Sequence, residues 1–312
     1  MSPRADAWPD LPLAAWQDTY ETLHMWTQIV GKIRMTLTPL INHYWNATLY
    51  VSARGLATSS IPYPGGLFEM EFDFVGHRLT IETSQGGARA LELAPRTVAD
   101  FYADLMNTLA ELEISVRIHA HPDEVANPIP FAEDRAHKSY DRESVERFQR
   151  LLISVDQVFQ NFRARFIGKC SPVHFFWGSF DLAVTRFSGR RAPPRSDSQY
   201  QEMMQEAYSH EVSSAGFWPG GGEIPAPAFY SYTTPEPAGF KTYAVVPRPA
   251  FYHTKLGEFV LMCDDIRSAG SPETELMDFL ESTYEAGANL GNWDRAALER
   301  SGLERSSLEK SA

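Results

Sequence analysis

The sequence predicts an α+β fold built from two pseudo-repeated units, each a mostly antiparallel sheet with flanking helices. Three observations point there. Short runs of alternating apolar and polar residues, the pattern of half-buried strands, recur along the chain. Stretches with apolar residues spaced by threes and fours, the pattern of helices, bracket each group of those runs. The order helix, strands, helix occurs twice, with Gly31-Lys32 closing the first leading helix and Gly168-Lys169 the second. A length of 312 residues exceeds the usual single-core domain and agrees with two units.

The first helix runs from Leu13 through Trp16, Tyr20, Leu23 and Trp26 to Val30, with Asp10 placed to cap it and Gly31 to end it. Ile33, Met35 and Leu37 then alternate with Arg34 and Thr36, and Ala47, Leu49, Val51 and Ala53 with Thr48, Tyr50, Ser52 and Arg54, which reads as two strands. Phe68, Met70, Phe72 and Phe74 give a third, with a turn at Gly76 before Leu79 and Ile81, and Arg89, Leu91 and Leu93 a fifth. Pro95 opens a helix carrying Val98, Phe101, Leu105, Leu109 and Leu112, and a short strand is expected near Val116 and Ile118. Residues 1–120 form the first unit and 121–140 a Pro-containing connector.

Val145, Phe148, Leu152, Val155, Phe159, Phe162 and Phe166 keep helical spacing without a miss, the clearest helix in the chain. Strands follow near 173–177, 180–184, 208–217, 228–233 and 258–263, and Pro272 opens a closing helix. This second unit, 141–290, holds nine of the 21 prolines between Ser188 and Ala250, so it carries the longer loops where binding residues collect. Residues 291–312 alternate Glu and Arg around a few leucines and read as a solvated helical tail.

With 28 Lys and Arg against 40 Asp and Glu, the net charge of -12 repels a phosphate backbone, so no nucleic acid partner is expected. No apolar run approaches the roughly 18 residues of a membrane span, and none is predicted. The two cysteines, Cys170 and Cys263, and an N-terminus without the apolar core of a secretory signal place the protein in a reducing cytoplasm. Both thiols read as small buried hydrophobes.

Phosphate loops, nucleophile elbows and zincin signatures are missing from the sequence. His119 and His121 have a spacing able to chelate a metal, yet no third ligand accompanies them, so metal and cofactor stay unassigned. The most informative stretch is the hairpin Val173–Val184. A two-residue turn at Gly178-Ser179 places Val173, Phe175, Trp177, Phe180, Leu182 and Val184 on a core face, and His174 and Asp181 as diagonal neighbours on the other. His174, Asp181, His210 and Glu211 are the catalytic candidates, as base, orienter, and acid or metal ligand. Trp218, Tyr230 and Tyr232 form the expected aromatic wall of a ligand cleft, joined by Arg186 on the strand leaving the hairpin. Arg54 is expected to pair with a carboxylate on the adjacent strand, and Arg190, Arg191 and Arg195 with Pro193 and Pro194 to form a solvated basic loop. The predicted function is small-molecule binding, with hydrolase-like catalysis as its enzymatic form. The rival is a non-catalytic interaction protein, open to homo-oligomers, in which Phe217, Trp218, Phe229 and Tyr230 form an exposed docking patch.

The stretches Trp26–Lys32 (WTQIVGK), Ser52–Leu56 (SARGL), Ser171–Phe187 (SPVHFFWGSFDLAVTRF) and Glu206–Glu211 (EAYSHE) resemble an uncharacterised bacterial family, a domain of unknown function extending over nearly the whole chain. The resemblance implies a bacterial member of full length. It carries no substrate, cofactor or catalytic residue.

Overall fold

The computed structural model describes residues 7–194 and 201–300. The expectations on Arg195 and on the tail beyond residue 300 lie outside the described residues. Helices and antiparallel strands are both abundant, as an α+β fold requires. The chain divides into two compact units, neither a single stretch: one gathers residues up to Val155 with 174–182 and 218–227, the other 156–173, 183–217 and everything from Ala228 on.

The first unit opens with α1 (Leu13–Leu37), a helix buried on every side from Thr22 to Arg34. It runs seven residues past the predicted end. Gly31 does not stop it, because Gly31 serves packing: a Cβ there would come within 2.1 Å of the Trp177 ring. The expected strand Ile33–Leu37 is instead the last turns of the helix, where Ile33 and Leu37 share a face at a spacing of four. Termination falls at Thr38, in extended backbone before Pro39, whose ring disfavours helix in the residue ahead of it. Pro12 occupies the N-cap position, so Asp10 is no cap.

A 3-10 turn at Asn42–Ala47 leads into β1 (Thr48–Val51), β2 (Gly55–Ala57), β3 (Ile61–Tyr63), β4 (Gly66–Asp73), β5 (Arg78–Thr83) and β6 (Ala88–Glu92). Phe68, Met70 and Phe72 on β4 and Leu79 and Ile81 on β5 are buried, and the register Phe72 to Leu79, Met70 to Ile81 puts them on one face. Next, α2 (Val98–Glu111) starts one turn later than predicted: Thr97, not Pro95, caps it, its hydroxyl accepting from the Asp100 N–H. The N–H groups of Val98 and Ala99 donate to the carbonyls of His137 and Asp134, so the irregular connector satisfies the helix start. No strand forms at Val116–Ile118. The first half of α3 (Arg142–Ala164) and β7 (His174–Phe176) complete the unit, whose strand order is β7-β1-β2-β4-β5-β6 with β3 on β4.

The second unit takes the rest of α3 and then β8 (Asp181–Arg191), apart from its first two residues, α4 (Gln201–Ala207), β9 (His210–Trp218), apart from Trp218, β10 (Ala228–Thr234), β11 (Phe251–His253), β12 (Glu258–Met262), α5 (Cys263–Arg267), α6 (Pro272–Leu290) and α7 (Arg295–Leu298). Its strand order is β11-β12-β10-β9-β8. The predicted α3 stripe from Val145 to Phe166 is buried throughout, and Pro272 begins α6 as expected. Three predictions fail. Gly168-Lys169 lies in a loop past the end of α3, unlike the mid-helix Gly31-Lys32, so the two pairs do not anchor a repeat. Arg190 and Arg191 belong to β8 instead of a loop. Within the described part of the tail, residues 291–300, only Arg295–Leu298 is helical, and the segment is not free in solvent: Ile167 and Gly168 donate to the Leu298 carbonyl while Arg300 N–H donates to that of Arg165.

Candidate functional site

In the second unit a cavity of about 150 Å³ is lined by Arg165, Arg186, Glu281, Glu285, Arg295, Glu299 and Arg300. Arg165 comes from the turn just past the end of α3 and Arg186 from the middle of β8. Glu281 and Glu285 stand four apart on one face of α6. Glu299 and Arg300 are carried in by the chain segment paired with residues 165–168.

Arg186, 1% exposed, is the innermost group. It donates to both carboxylate oxygens of Glu281 at 3.2 and 3.3 Å and to the Phe162 carbonyl. The Phe162 and Tyr284 rings lie 3.4 and 4.4 Å from its guanidinium carbon, a cation–π cage that suits a weakly hydrated planar cation. Among the described residues its Nε has no acceptor. Arg295 pairs with Glu285 at 3.2 Å and with Glu299 at 2.5 Å, and the Glu299 hydrogen bond holds its guanidinium even more firmly protonated than usual. The Tyr284 hydroxyl donates to Glu299 at 2.9 Å, and burial pushes that phenol well above the ordinary range. Arg165 makes a longer contact, 3.6 Å, to Glu281. Arg300 donates through Nε to the Ala164 carbonyl at 3.2 Å, and among the described residues it pairs with no carboxylate. Four arginines thus face three glutamates.

Burial pushes the neighbouring Cys170 thiol up to about 11, outweighing the Arg186 and Arg163 charges, so this cysteine is no thiolate at neutral pH.

The first unit holds a second charged cluster of opposite character. His24, Gln28 and Lys32 recur at a spacing of four on α1 and face one way. His24 Nε2 donates to the Gly178 carbonyl at 2.8 Å, and burial pushes its pKa down to about 4. The Gln28 amide bonds the Asp123 backbone twice, donating to its carbonyl and accepting from its N–H, each at 2.8 Å. The buried Lys32 ammonium pairs with the Asp123 carboxylate and lies 5.4 Å from the Trp177 ring centre. Two residues on, Arg34 donates to the carbonyls of Thr58, Asn46 and Trp45. Every charged group on this part of the helix has its partner.

The predicted site residues divide between the units: His174, Asp181 and Trp218 belong to the first, while Arg186, His210, Glu211, Tyr230 and Tyr232 belong to the second. His174 is packed edge-on against Trp45, Tyr50 and Phe176, and Asp181 accepts from the Ser179 hydroxyl. The hairpin turn takes four residues, Trp177–Phe180, with Phe180 at φ 58° in place of a glycine-led two-residue turn. His210 and Glu211 are consecutive on β9 and so face opposite sides. Glu211 is occupied by Ser188 and Arg190 at 2.8 Å each, and His210 Nδ1 lies 3.1 Å from the Ser209 hydroxyl.

Of the aromatics expected to wall a cleft, Tyr230 and Tyr232 stack at 6.1 Å, and the Tyr208 and Tyr232 hydroxyls share a 2.7 Å hydrogen bond. Arg186 lies on the other sheet face. Thr185 bonds Ser214, and Gly216, two residues along, sits under Tyr230, so the alternation of strands turns Arg186 away from the tyrosines. Phe217 and Phe229, expected in an exposed patch, are 1% and 0% exposed and pack on each other. Arg54 does pair with Asp73 on β4, at 2.8 Å. His119 and His121 stack at 5.1 Å, and among the described residues no three His, Cys, Asp or Glu side chains are grouped to hold a metal.

Sequence reasoning reached Arg186 and missed the other six cavity residues. A signal was present in the Glu281/Glu285 and Arg295/Glu299 spacings of four; the first pair drew no reading and the second was read as part of a solvated tail.

Fold and cavity together define an α+β protein with an ionic recess framed by two helices, a strand and the returning chain end. The chain belongs to the family of unknown function DUF5996, whose model matches residues 8–300. Neither a curated protein nor a solved structure matches it.

Proposed function

We propose that the protein binds a small anionic molecule in the second unit, in the recess of Arg165, Arg186, Arg295 and Arg300. The observation that carries this reading is the surplus cation: three glutamates are each committed to a partner, and Arg300 has only a backbone carbonyl. A pair of unit charges about 4 Å apart is worth roughly 1 kcal/mol in bulk water and about 4 kcal/mol at the effective dielectric near a protein surface. A recess therefore favours binding where an open arginine would not. Arginine forks also suit carboxylate and phosphate oxygens. The overall charge of -12 gives such a ligand no long-range attraction, so selection rests on the recess itself.

The tyrosine group Tyr208, Tyr230 and Tyr232 stands apart from this recess and is no part of the reading. Catalysis of the hydrolase kind is not required by it. The low cysteine content and the family resemblance support a bacterial cytoplasm as the setting. In both units a long helix, strands adjacent in sequence order (β1-β2-β4-β5 and β8-β9-β10-β12) and a closing helix follow one another, which supports an ancient duplication.

Titration calorimetry with inorganic phosphate and with acetate at low ionic strength tests the reading. Saturable binding of at least one, weakened about tenfold or more by Arg300→Ala, is expected. No heat from either anion, or unchanged affinity in the variant, overturns it.

A further inference from the structure

A second, smaller hollow of about 70 Å³ continues along the same pair of helices, lined by Val158, Asn161, Arg165, Glu273, Thr274, Met277 and Asp278. Its residues fall at 158 and 161 on α3, at 165 just past the end of α3, and at 273, 274, 277 and 278 on α6. The ionic recess takes over on those same faces at Arg165, Glu281 and Glu285. Arg165 lines both hollows, and its 3.6 Å contact with Glu281 sits at the divide. That contact is dispensable to Glu281, which Arg186 already grips through both oxygens. An incoming carboxylate can therefore take Arg165 without stranding a buried charge. Arg300 is within reach of the same point, since its backbone N–H donates to the Arg165 carbonyl and its Nε to that of Ala164. Beyond Arg165 the smaller hollow offers the buried carbon of Val158 and Met277, and its volume admits a few methylenes.

Resting on the anion-binding reading above, we propose that the ligand is a short-chain aliphatic carboxylate. The head bridges Arg165 and Arg300, and the chain lies in the groove over Val158 and Met277. Burying each methylene tightens binding about fourfold.

The test is a calorimetric series of acetate, butyrate and hexanoate on the full chain, with hexylammonium as the charge control and inorganic phosphate as the anion control. Affinity rising from acetate to hexanoate by roughly tenfold or more, with hexylammonium silent, is the expected result. Thr274→Trp, at an exposed position on the groove wall, is expected to erase the chain-length gain and leave acetate binding unchanged. Phosphate or acetate binding with no chain-length gain overturns this proposal and leaves the anion reading standing, and hexylammonium binding as well as hexanoate overturns the head-group assignment. Silence from every anion removes both. Should Thr274→Trp not fold, the wild-type series alone decides.

Discussion

The α1 network and the arginine recess use the same kind of residue and end in opposite states. On α1, four polar residues of one helix, His24, Gln28, Lys32 and the nearby Arg34, are buried and closed by backbone carbonyls and by Asp123. Around Arg186 the inner half is closed in the same way by Glu281, but the outer half ends with Arg300 facing no carboxylate among the described residues. A closed network fixes structure, because opening it strands a desolvated charge. An unmatched arginine at the rim of a recess has binding capacity left over. The difference teaches that burial of charge alone does not mark a site; the arithmetic of partners does.

The comparison breaks most easily at Lys32. Lys32→Ala removes a 3% exposed ammonium from Asp123 and is expected to cost about 3 kcal/mol in chemical denaturation. A cost under 1 kcal/mol would mean the α1 network is not closed in the sense argued.

The next effect is in pH. His24 has a folded-state pKa near 4, below the ordinary 6.5, so the unfolded chain takes up its proton first as the pH falls. The stability tied to neutral His24 is fully present above about pH 6.5 and is lost between about 6.5 and 4, by roughly 3 kcal/mol. His24→Gln, which keeps a donor for the Gly178 carbonyl, is expected to flatten that slope in denaturation curves collected across the interval.

A somewhat smaller effect is expected from Gly31→Ala. The added Cβ meets the Trp177 ring at 2.1 Å, and relieving that overlap in a packed interior costs about 1 to 3 kcal/mol, read as a fall in Tm. A neutral outcome would show that Trp177 yields easily and that the helix is less tightly invested than α1 burial implies.

The smallest change in stability belongs to Arg300→Ala, within about 0.5 kcal/mol of wild type, because the side chain is exposed and has no ion pair among the described residues. Its effect is reserved for anion affinity. Loss of stability without loss of binding would place Arg300 with Lys32 among structural cations and dissolve the contrast.

Much of the fold was legible. Periodicity located α3 and its whole buried stripe, the hairpin β4-β5 and the Pro272 start of α6, since each is amphipathic and its pattern needs no distant partner to be read. It failed at Ile33–Leu37, where alternation over only five residues fits the last turns of a helix as well as a strand, and at Gly31, whose meaning lies in a tryptophan 146 positions away. The site was legible only at Arg186. His210 and Glu211 looked promising as neighbours in sequence, and a strand sends such neighbours to opposite faces.

By itself the sequence determined the class of fold, the chain's helices and strands in outline, and membership of its family, because those depend on local pattern and on strings of residues. The tertiary structure alone decided which charges are closed and which remain open. Arg165, Arg186, Glu281 and Arg300 come from separate stretches of chain, and no local pattern specifies which cation meets which carboxylate. That pairing is fixed by packing, and with it the surplus positive charge on which the functional reading stands.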